Sequence, residues 1–157
     1  MPVTVSKSGP GFAKVAQRLR KLKSSEVLVG IPADRAQREG ETINNAGLLF
    51  IHTHGSELQN IPARPVLEPA IENNRALIST HLGEAARQMT AGFPDKAERE
   101  LARAGTIGAN AAKRFFTEEN GWPPNAPSTI KRKGSDRPLI DTGALRRSIT
   151  HIVRVDK

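Results

Sequence analysis

Hydrophobic positions recur every three or four residues in two long stretches of the chain, and this period predicts amphipathic helices. The first stretch runs from Leu67 to about Ala91 and the second from about Asp95 to Thr117, with Gly92 and Pro94 between them. We expect the two helices to form an antiparallel hairpin, packed against each other or together across a small sheet. The stripe of the second helix is rich in small residues that would allow close packing: Ala97, Leu101, Ala104, Gly108, Ala111 and Phe115.

Two short stretches instead have the pattern of β-strands. The sequence EVLVGIP, residues 26 to 32, is β-branched and apolar and ends in Gly and Pro. Near the C-terminus, ITHIVRV alternates, with Ile149, His151, Val153 and Val155 expected on one face. We therefore predict an α+β fold in which a small antiparallel sheet packs with two long helices and shorter peripheral helices.

The peripheral helices are predicted from shorter patterns. Phe12 to Leu22 has apolar residues at helical spacing, and Ala144 to Ser148 can form a short helix. Thr42 is expected to cap a third helix that stops at Gly55.

Two proline-rich segments are expected to be irregular and stiff. In Ile-Pro-Ala-Arg-Pro, Pro62 and Pro65 force an extended connection, so that Arg64 between them is expected to be presented to solvent. A Pro-rich loop at residues 120–138 carries four prolines and the only tryptophan. We interpret Trp122 as a structural anchor that holds this loop on the core, in preference to a binding hot spot.

Length and charge then limit the organisation. A chain of 157 residues fits one ordinary domain with extensions, here a basic N-terminal helix or arm at 1–25 and an α+β domain at 26–157. Residues 1 to 23 contain six Lys and Arg and no acid, which suits either a solvated helix face or a binding patch. The net charge of +8 predicts attraction to acidic proteins, nucleic acid or anionic lipid. No apolar run is long enough for a membrane span, and no signal peptide is recognisable, so we expect a soluble cytoplasmic product without membrane contact.

Metal and cofactor chemistry is not indicated. The chain has no cysteine, and His52 and His54 lie two residues apart, so they point in different directions on a helix. His81 and His151 belong to unrelated elements. No Gly-rich phosphate loop and no nucleophile beside a histidine is present, so we predict neither a cofactor nor an enzymatic activity.

The sequence Asp141-Thr142-Gly143 looks like the active-site motif of retroviral-type aspartic proteases. Such an enzyme needs a second aspartate sharing one proton and an all-β domain built from the residues after the motif. Only 14 residues follow Gly143 in a chain of 157, and the rest is helical in pattern. We therefore interpret Asp141 as the N-cap of a short helix, with Ile140 and Leu145 as a hydrophobic staple.

Two blocks of sequence resemble the phage tail-completion and minor tail proteins, including the Mu-like virion morphogenesis proteins. The first combines VLVGIPA, AGLLFIHTHGS and IPARPVLEPAIENN, and the second is GWPPNAPSTIKRKGSDRPLIDTGALRRSITHIV. In the family a Glu often precedes an aromatic residue and Gly in the helix-ending motif, where this chain has Thr53, His54 and Gly55. The basic N-terminal helix has no counterpart in the pattern.

The resemblance implies a non-enzymatic structural protein of the virion, assembled in the host cytoplasm and placed at the neck or head-proximal end of the tail. It would complete the tail and enable head-tail joining as part of a ring, commonly of six copies, beside a tail terminator, tail tube or head-tail connector. Weak contact with DNA in the lumen would be compatible with this role. The expected contact residues are Arg64, Lys131, Lys133, Arg146 and Arg147, and the expected structural residues are Pro62, Pro65, Trp122, Asp141 and Gly143.

A basic nucleic-acid-binding module is the alternative interpretation. The charge and the N-terminal helix favour it, because phosphate contacts by Lys and Arg dominate such binding. The scarcity of aromatic residues and the division of the basic residues between both ends of the chain count against it.

Overall fold

A computed structural model describes residues 10–38 and 40–154. Within these ranges the chain forms seven α-helices and one two-stranded antiparallel sheet, so the expected α+β class is confirmed. The elements follow in the order α1 (Pro10–Lys23), β1 (Glu26–Gly30), a 3₁₀ turn (Ala33–Arg35), α2 (Asn45–His54), α3 (Leu67–Asn73), α4 (Arg75–Ala91), α5 (Pro94–Phe115), α6 (Pro127–Lys133), α7 (Ala144–Ser148) and β2 (Thr150–Arg154). Val155, expected to extend the second strand, lies outside the described residues, as do residues 1–9 of the expected N-terminal arm.

The helix α5 is the centre of the fold. It packs along α4 as the expected hairpin and also contacts both strands, which pair with Val29 opposite His151. The small residues of its stripe are buried and allow this approach. A methyl group added at Gly105 would lie 2.9 Å from the Cβ of His151, and one added at Gly108 would lie 3.0 Å from a Val29 methyl group.

The buried residues form two clusters at the two ends of this framework. The larger one joins α5 to α2, α3, α7 and the start of the Pro-rich loop. It contains Val66, Ala112, Phe116, Leu145 and Ile149, among others. The smaller cluster lies between α4 and the first turns of α5, around Ala85, Met89, Ala97 and Leu101.

The expected helix from Leu67 to Ala91 is wrong in one respect, because it is two helices. Asn74 separates α3 from α4 with φ −112° and ψ 11°. Its side-chain amide donates to the Ala70 carbonyl at 2.8 Å, which is the acceptor that a continuous helix would offer to the Asn74 backbone N–H. The backbone N–H bonds to Ile71 at 3.0 Å instead, so the side chain locally replaces the helical pattern.

The start of α2 also differs from expectation. Asn44, and not Thr42, is the N-cap, and its side-chain oxygen accepts from the Gly47 N–H at 2.8 Å. The helix begins where the backbone N–H of Asn45 is held by the Ala36 carbonyl at 2.7 Å, a contact with a distant loop that local sequence does not reveal. Gly55 ends the helix as predicted, with φ 75°.

The basic helix α1 lies against the turn between α4 and α5. Arg18 donates to the Thr90 carbonyl at 3.1 Å, and Leu22 packs on the smaller cluster. Much of its apolar side is left open, since Phe12, Val15 and Leu19 are exposed. None of the helices in the described ranges has the length and apolar character of a membrane span.

Candidate functional site

The two proline-rich segments that stand out in the sequence are bonded to each other. The Arg64 guanidinium donates from Nε to the Pro123 carbonyl at 3.0 Å and from Nη2 to the Pro124 carbonyl at 2.9 Å. In return, the Trp122 indole N–H donates to the Pro65 carbonyl at 3.1 Å. We call this reciprocal arrangement the Arg64–Trp122 clasp. Side-chain donors thus satisfy these three proline carbonyls, in segments whose prolines offer no N–H for regular backbone pairing.

The position of Arg64 corrects the expectation that it is presented to solvent. Only 6% of the residue is exposed, and its backbone N–H is bonded to the His52 carbonyl. The planar guanidinium suits two adjacent carbonyls, and this forked donation draws it into the protein. Pro62 and Pro65 lie in a segment without helix or strand, on either side of Ala63 and Arg64.

Trp122 is a structural anchor, as the sequence suggested. Its ring meets Phe115 and Phe116 edge to face, with centroids 5.6 and 6.2 Å away. Such aromatic pairs stabilise a fold by more than the burial of their apolar area alone. The Pro-rich loop is held further along by Asn125, which is buried and donates to the Asp136 carbonyl at 2.9 Å.

A cleft of about 900 Å³ opens beside the clasp, and we call it the basic cleft. Its floor and walls include Leu48, Ile61 and Leu139 from three different segments. Its charged lining consists of Arg38, Glu41, Arg64, Arg132, Lys133 and Asp141. Four cations thus face two carboxylates, an excess of two positive charges. One carboxylate is already engaged, because Glu41 pairs with Arg38 at 3.7 Å.

The directions of the pKa shifts in the basic cleft indicate that its positive charges repel one another. Burial, then Arg64 and Lys133, lowers the pKa of His52. Burial also lowers the pKa of Lys133, where Asp141 opposes the shift and Arg64 adds to it. Burial lowers the pKa of Arg64 as well. Among the described residues neither Arg64 nor Lys133 forms an ion pair, and the buried Nδ1 of His52 has no hydrogen-bond partner.

Asp141 is not the N-cap of α7, so that expectation is wrong. Gly143 takes the N-cap position with φ 76°, a left-handed conformation that suits glycine, and the Ala144 N–H donates to Thr142 Oγ1 at 3.3 Å. Asp141 lines the basic cleft instead. Ile140 and Leu145 do contribute to one hydrophobic cluster. Gly143 thus keeps its expected structural role through a different mechanism.

Arg146 and Arg147 lie together at a second, smaller cleft of about 480 Å³. Arg146 is half-buried and donates from Nε to the Lys113 carbonyl at 2.8 Å, which ties α7 to α5. Arg147 is exposed and donates from Nη1 to the Thr142 carbonyl at 2.9 Å. The segment from Leu139 to Leu145 therefore separates this cleft from the basic cleft and contributes residues to both.

The five expected contact residues are thus divided into three environments. Arg64 and Lys133 share the basic cleft, Arg146 and Arg147 share the second cleft, and Lys131 lies exposed on α6 outside both. Over residues 10–38 and 40–154, no three His, Asp or Glu side chains are close enough together to hold a metal ion.

Sequence reasoning missed three residues of the basic cleft that matter to its charge. From the sequence, His52 is expected to be an ordinary polar or half-buried histidine, and Arg38 and Arg132 have no expected role. A usable signal was present for His52, which follows the buried Leu49 by three residues and so falls on the inner side of α2.

Comparisons with protein-family models, with curated protein sequences and with solved structures returned no match to the chain.

Proposed function

We propose that this protein is a structural, non-enzymatic component of a bacteriophage virion, at the neck or head-proximal end of the tail. It completes the tail and enables head-tail joining as one copy in an oligomeric ring. The observation that carries the proposal is the Arg64–Trp122 clasp. The clasp joins IPARP to GWPP, which belong to the two separate blocks that resemble tail-completion proteins. The two motifs that carry the resemblance thus contact each other in the fold.

Exposed apolar residues support assembly with other copies or with neighbouring virion proteins. Leu28 and Ile152 face each other across the two strands and are both exposed, on the side of the sheet away from α5. Phe50 and Leu58 are also exposed, the latter at 97%. Large apolar side chains on the surface of a protein are typical of contact sites when they are grouped. A ring buries the same patch in every copy.

The structure narrows the choice of contact residues in this proposal. Lys131 and Arg147 are exposed and can reach a neighbour. Arg64 is buried and bonds the Pro-rich loop through Nε and Nη2, so in the assembly we assign it the role of shaping the contact surface. The proposed partners are other copies of the chain, in the sixfold ring that the resemblance implies, and a tail terminator, tail tube or head-tail connector. The proposed location is the virion, after assembly in the host cytoplasm.

The test is electron microscopy of the particles made when an early stop codon is placed in this gene within its phage genome. We expect full heads beside separate tails of normal length, and restored joining when the intact protein is supplied in trans. Intact, infectious particles in the absence of the protein would contradict the proposal.

A nucleic-acid-binding role is the second candidate, favoured by the exposed cations Lys14, Arg20 and Lys23 on α1. Fluorescence anisotropy with a labelled duplex separates the two roles. Binding that persists at physiological salt with a preference for sequence supports a nucleic-acid module. Weak binding that disappears with salt is what a ring around passing DNA would give.

A further inference from the structure

We propose that the basic cleft is a binding site for an acidic peptide segment of another protein chain, with one carboxylate received between Arg64 and Lys133. This inference rests on the cleft alone and does not require the phage role proposed above. It is independent of the contact residues Lys131 and Arg147, which lie outside the cleft.

The first argument is that the basic cleft contains partly buried positive charges that no negative charge in the described part of the chain pairs with. Arg64 is 6% exposed and forms no ion pair among the described residues, although buried cations are normally paired. Two of its donor groups are used by the Pro123 and Pro124 carbonyls, and the remaining guanidinium N–H groups are left for a ligand. Lys133 uses its ammonium on the Arg137 carbonyl at 2.8 Å, which is a neutral acceptor. An incoming carboxylate would supply the missing charge.

The second argument is that these cations converge on one place. Arg64 and Lys133 come from segments almost 70 residues apart, yet both depress the pKa of the same His52. The buried Nδ1 of His52 has no partner in the described structure. A carboxylate between Arg64 and Lys133 would relieve the repulsion among the three groups and would favour the protonated imidazolium of His52.

The third argument selects a peptide carboxylate in preference to a polyphosphate. Leu48, Ile61 and Leu139 give the cleft apolar walls, which suit the side chains that flank an acidic residue. Asp141 and Glu41 line the same cleft and would repel a second or third negative charge. The volume of about 900 Å³ fits a few residues of an extended segment and is typical of ligand pockets. The hydrogen bonds of the clasp and its prolines shape one side of the cleft.

The matched variants are Lys133→Ala and Lys131→Ala, two lysines on the same helix of which only the first lines the cleft. The probes are a capped pentapeptide with one glutamate between two leucines, its glutamine analogue, and inorganic phosphate. Binding is followed by NMR at the Trp122 indole N–H and the His52 imidazole. We expect saturable shifts with the glutamate peptide, a loss of affinity of about tenfold in Lys133→Ala, and unchanged affinity in Lys131→Ala.

The pKa of His52 gives a second readout in the same experiment. It should rise when the glutamate peptide binds and stay in place with the glutamine analogue. Equal binding of the two peptides, no binding of either, or tighter binding of phosphate than of the glutamate peptide would overturn the inference. The same holds if Lys131→Ala weakens binding as much as Lys133→Ala.

The source of the carboxylate is distinguished by sedimentation of the unliganded protein. If a second copy of the chain occupies the cleft, the wild type self-associates as the concentration rises and Lys133→Ala does not. The glutamate peptide then dissociates the oligomer. If a different protein occupies it, the peptide binds while the cleft has no effect on self-association. Both outcomes support the site, and the absence of peptide binding together with the absence of cleft-dependent association contradicts it.

Discussion

At the scale of single residues, Arg64 has the widest influence on the candidate site. Its guanidinium holds two consecutive carbonyls of the Pro-rich loop, and its charge lowers the pKa of His52 in the adjoining cleft. One side chain therefore shapes the loop and also sets the electrostatics of the surface that the loop helps to form. A buried hydrogen bond to a charged group is worth more than one between neutral groups.

Replacing Arg64 should accordingly destabilise the fold. Arg64→Ala leaves the Pro123 and Pro124 carbonyls without their donors, and we expect a loss of about 2–3 kcal/mol in the free energy of unfolding. Arg64→Lys should lose less stability than Arg64→Ala, because the ammonium keeps the positive charge. It should still be less stable than the wild type, because an ammonium cannot bond both carbonyls with the geometry of the guanidinium. Urea unfolding followed by the fluorescence of Trp122, the only tryptophan, measures both.

The control is the exposed Lys131→Ala, expected to change stability by less than about 0.5 kcal/mol. An Arg64→Ala protein as stable as this control would contradict the importance of the clasp.

His52 should make stability depend on pH. Its pKa in the folded protein is lowered, mainly by burial and then by Arg64 and Lys133, while in the unfolded chain it keeps its ordinary value of about 6.5. The unfolded state therefore takes up the proton first as the pH falls, so the contribution of His52 is complete above about pH 6.5 and is lost progressively below it. We expect the stability difference between wild type and His52→Gln to change over this range. The other histidines are present in both proteins, and a pH-independent difference would contradict the shift.

At the scale of elements, the fold depends on how closely α5 approaches its neighbours. Glycine normally weakens a helix interior by about 0.5–1 kcal/mol relative to alanine. Gly105 and Gly108 are nevertheless buried in the middle of α5, because the sheet residues His151 and Val29 lie where side chains would be. Gly83 in α4 has open space around it, so it has no such packing role.

These glycines provide a matched pair of substitutions. Gly105→Ala would push against the Cβ and ring of His151, so we expect destabilisation of about 1–3 kcal/mol from overpacking. Gly83→Ala meets nothing within 4 Å and should stabilise by about 0.5–1 kcal/mol through helix propensity. Thermal or urea unfolding of the two variants beside the wild type measures both effects. Stabilisation of both variants would show that helix propensity, and not packing against the sheet, dominates at Gly105.

At the scale of the whole molecule, the described surface combines basic clefts with exposed apolar residues on several sides. The second cleft, with the exposed Arg147, and the exposed Lys131 on α6 lie on segments that also form the basic cleft. The net charge of +8 favours approach to acidic partners and makes such contacts sensitive to salt.

Charge reversal tests the assembly role at this scale. Lys131→Glu and Arg147→Glu alter exposed side chains, so we expect the variants to remain folded while head-tail joining falls by at least about tenfold in phage yield. The control is Arg99→Glu, an exposed position on α5 whose side chain donates only to the Asp95 carbonyl within its own helix. Circular dichroism checks the fold, and electron microscopy counts joined and separate particles. Normal joining by both folded variants would remove these residues from the proposed contact surface.

Much of the secondary structure could be predicted from the sequence, because helix and strand periods are local properties. The positions of β1, β2, α4 and α5 follow from apolar spacing and from stops such as Gly92. The anchoring role of Trp122 was also predictable, since a large amphipathic ring in a proline-rich loop gains by burial with its N–H satisfied. The break at Asn74 was not, because asparagine is compatible with both a helix and its interruption.

The site itself was decided by tertiary structure. Arg64 looks like a presented cation between two prolines, and its burial depends on carbonyls 59 and 60 residues further along the chain. Asp141 looks like a helix cap, but Gly143 takes that position and Asp141 lines the basic cleft. The sequence by itself determined which segments are regular, stiff or charged, because those properties belong to neighbouring residues. Tertiary structure alone decided which charges share a cleft and which are buried, because those relations depend on distances between segments that are remote in the chain.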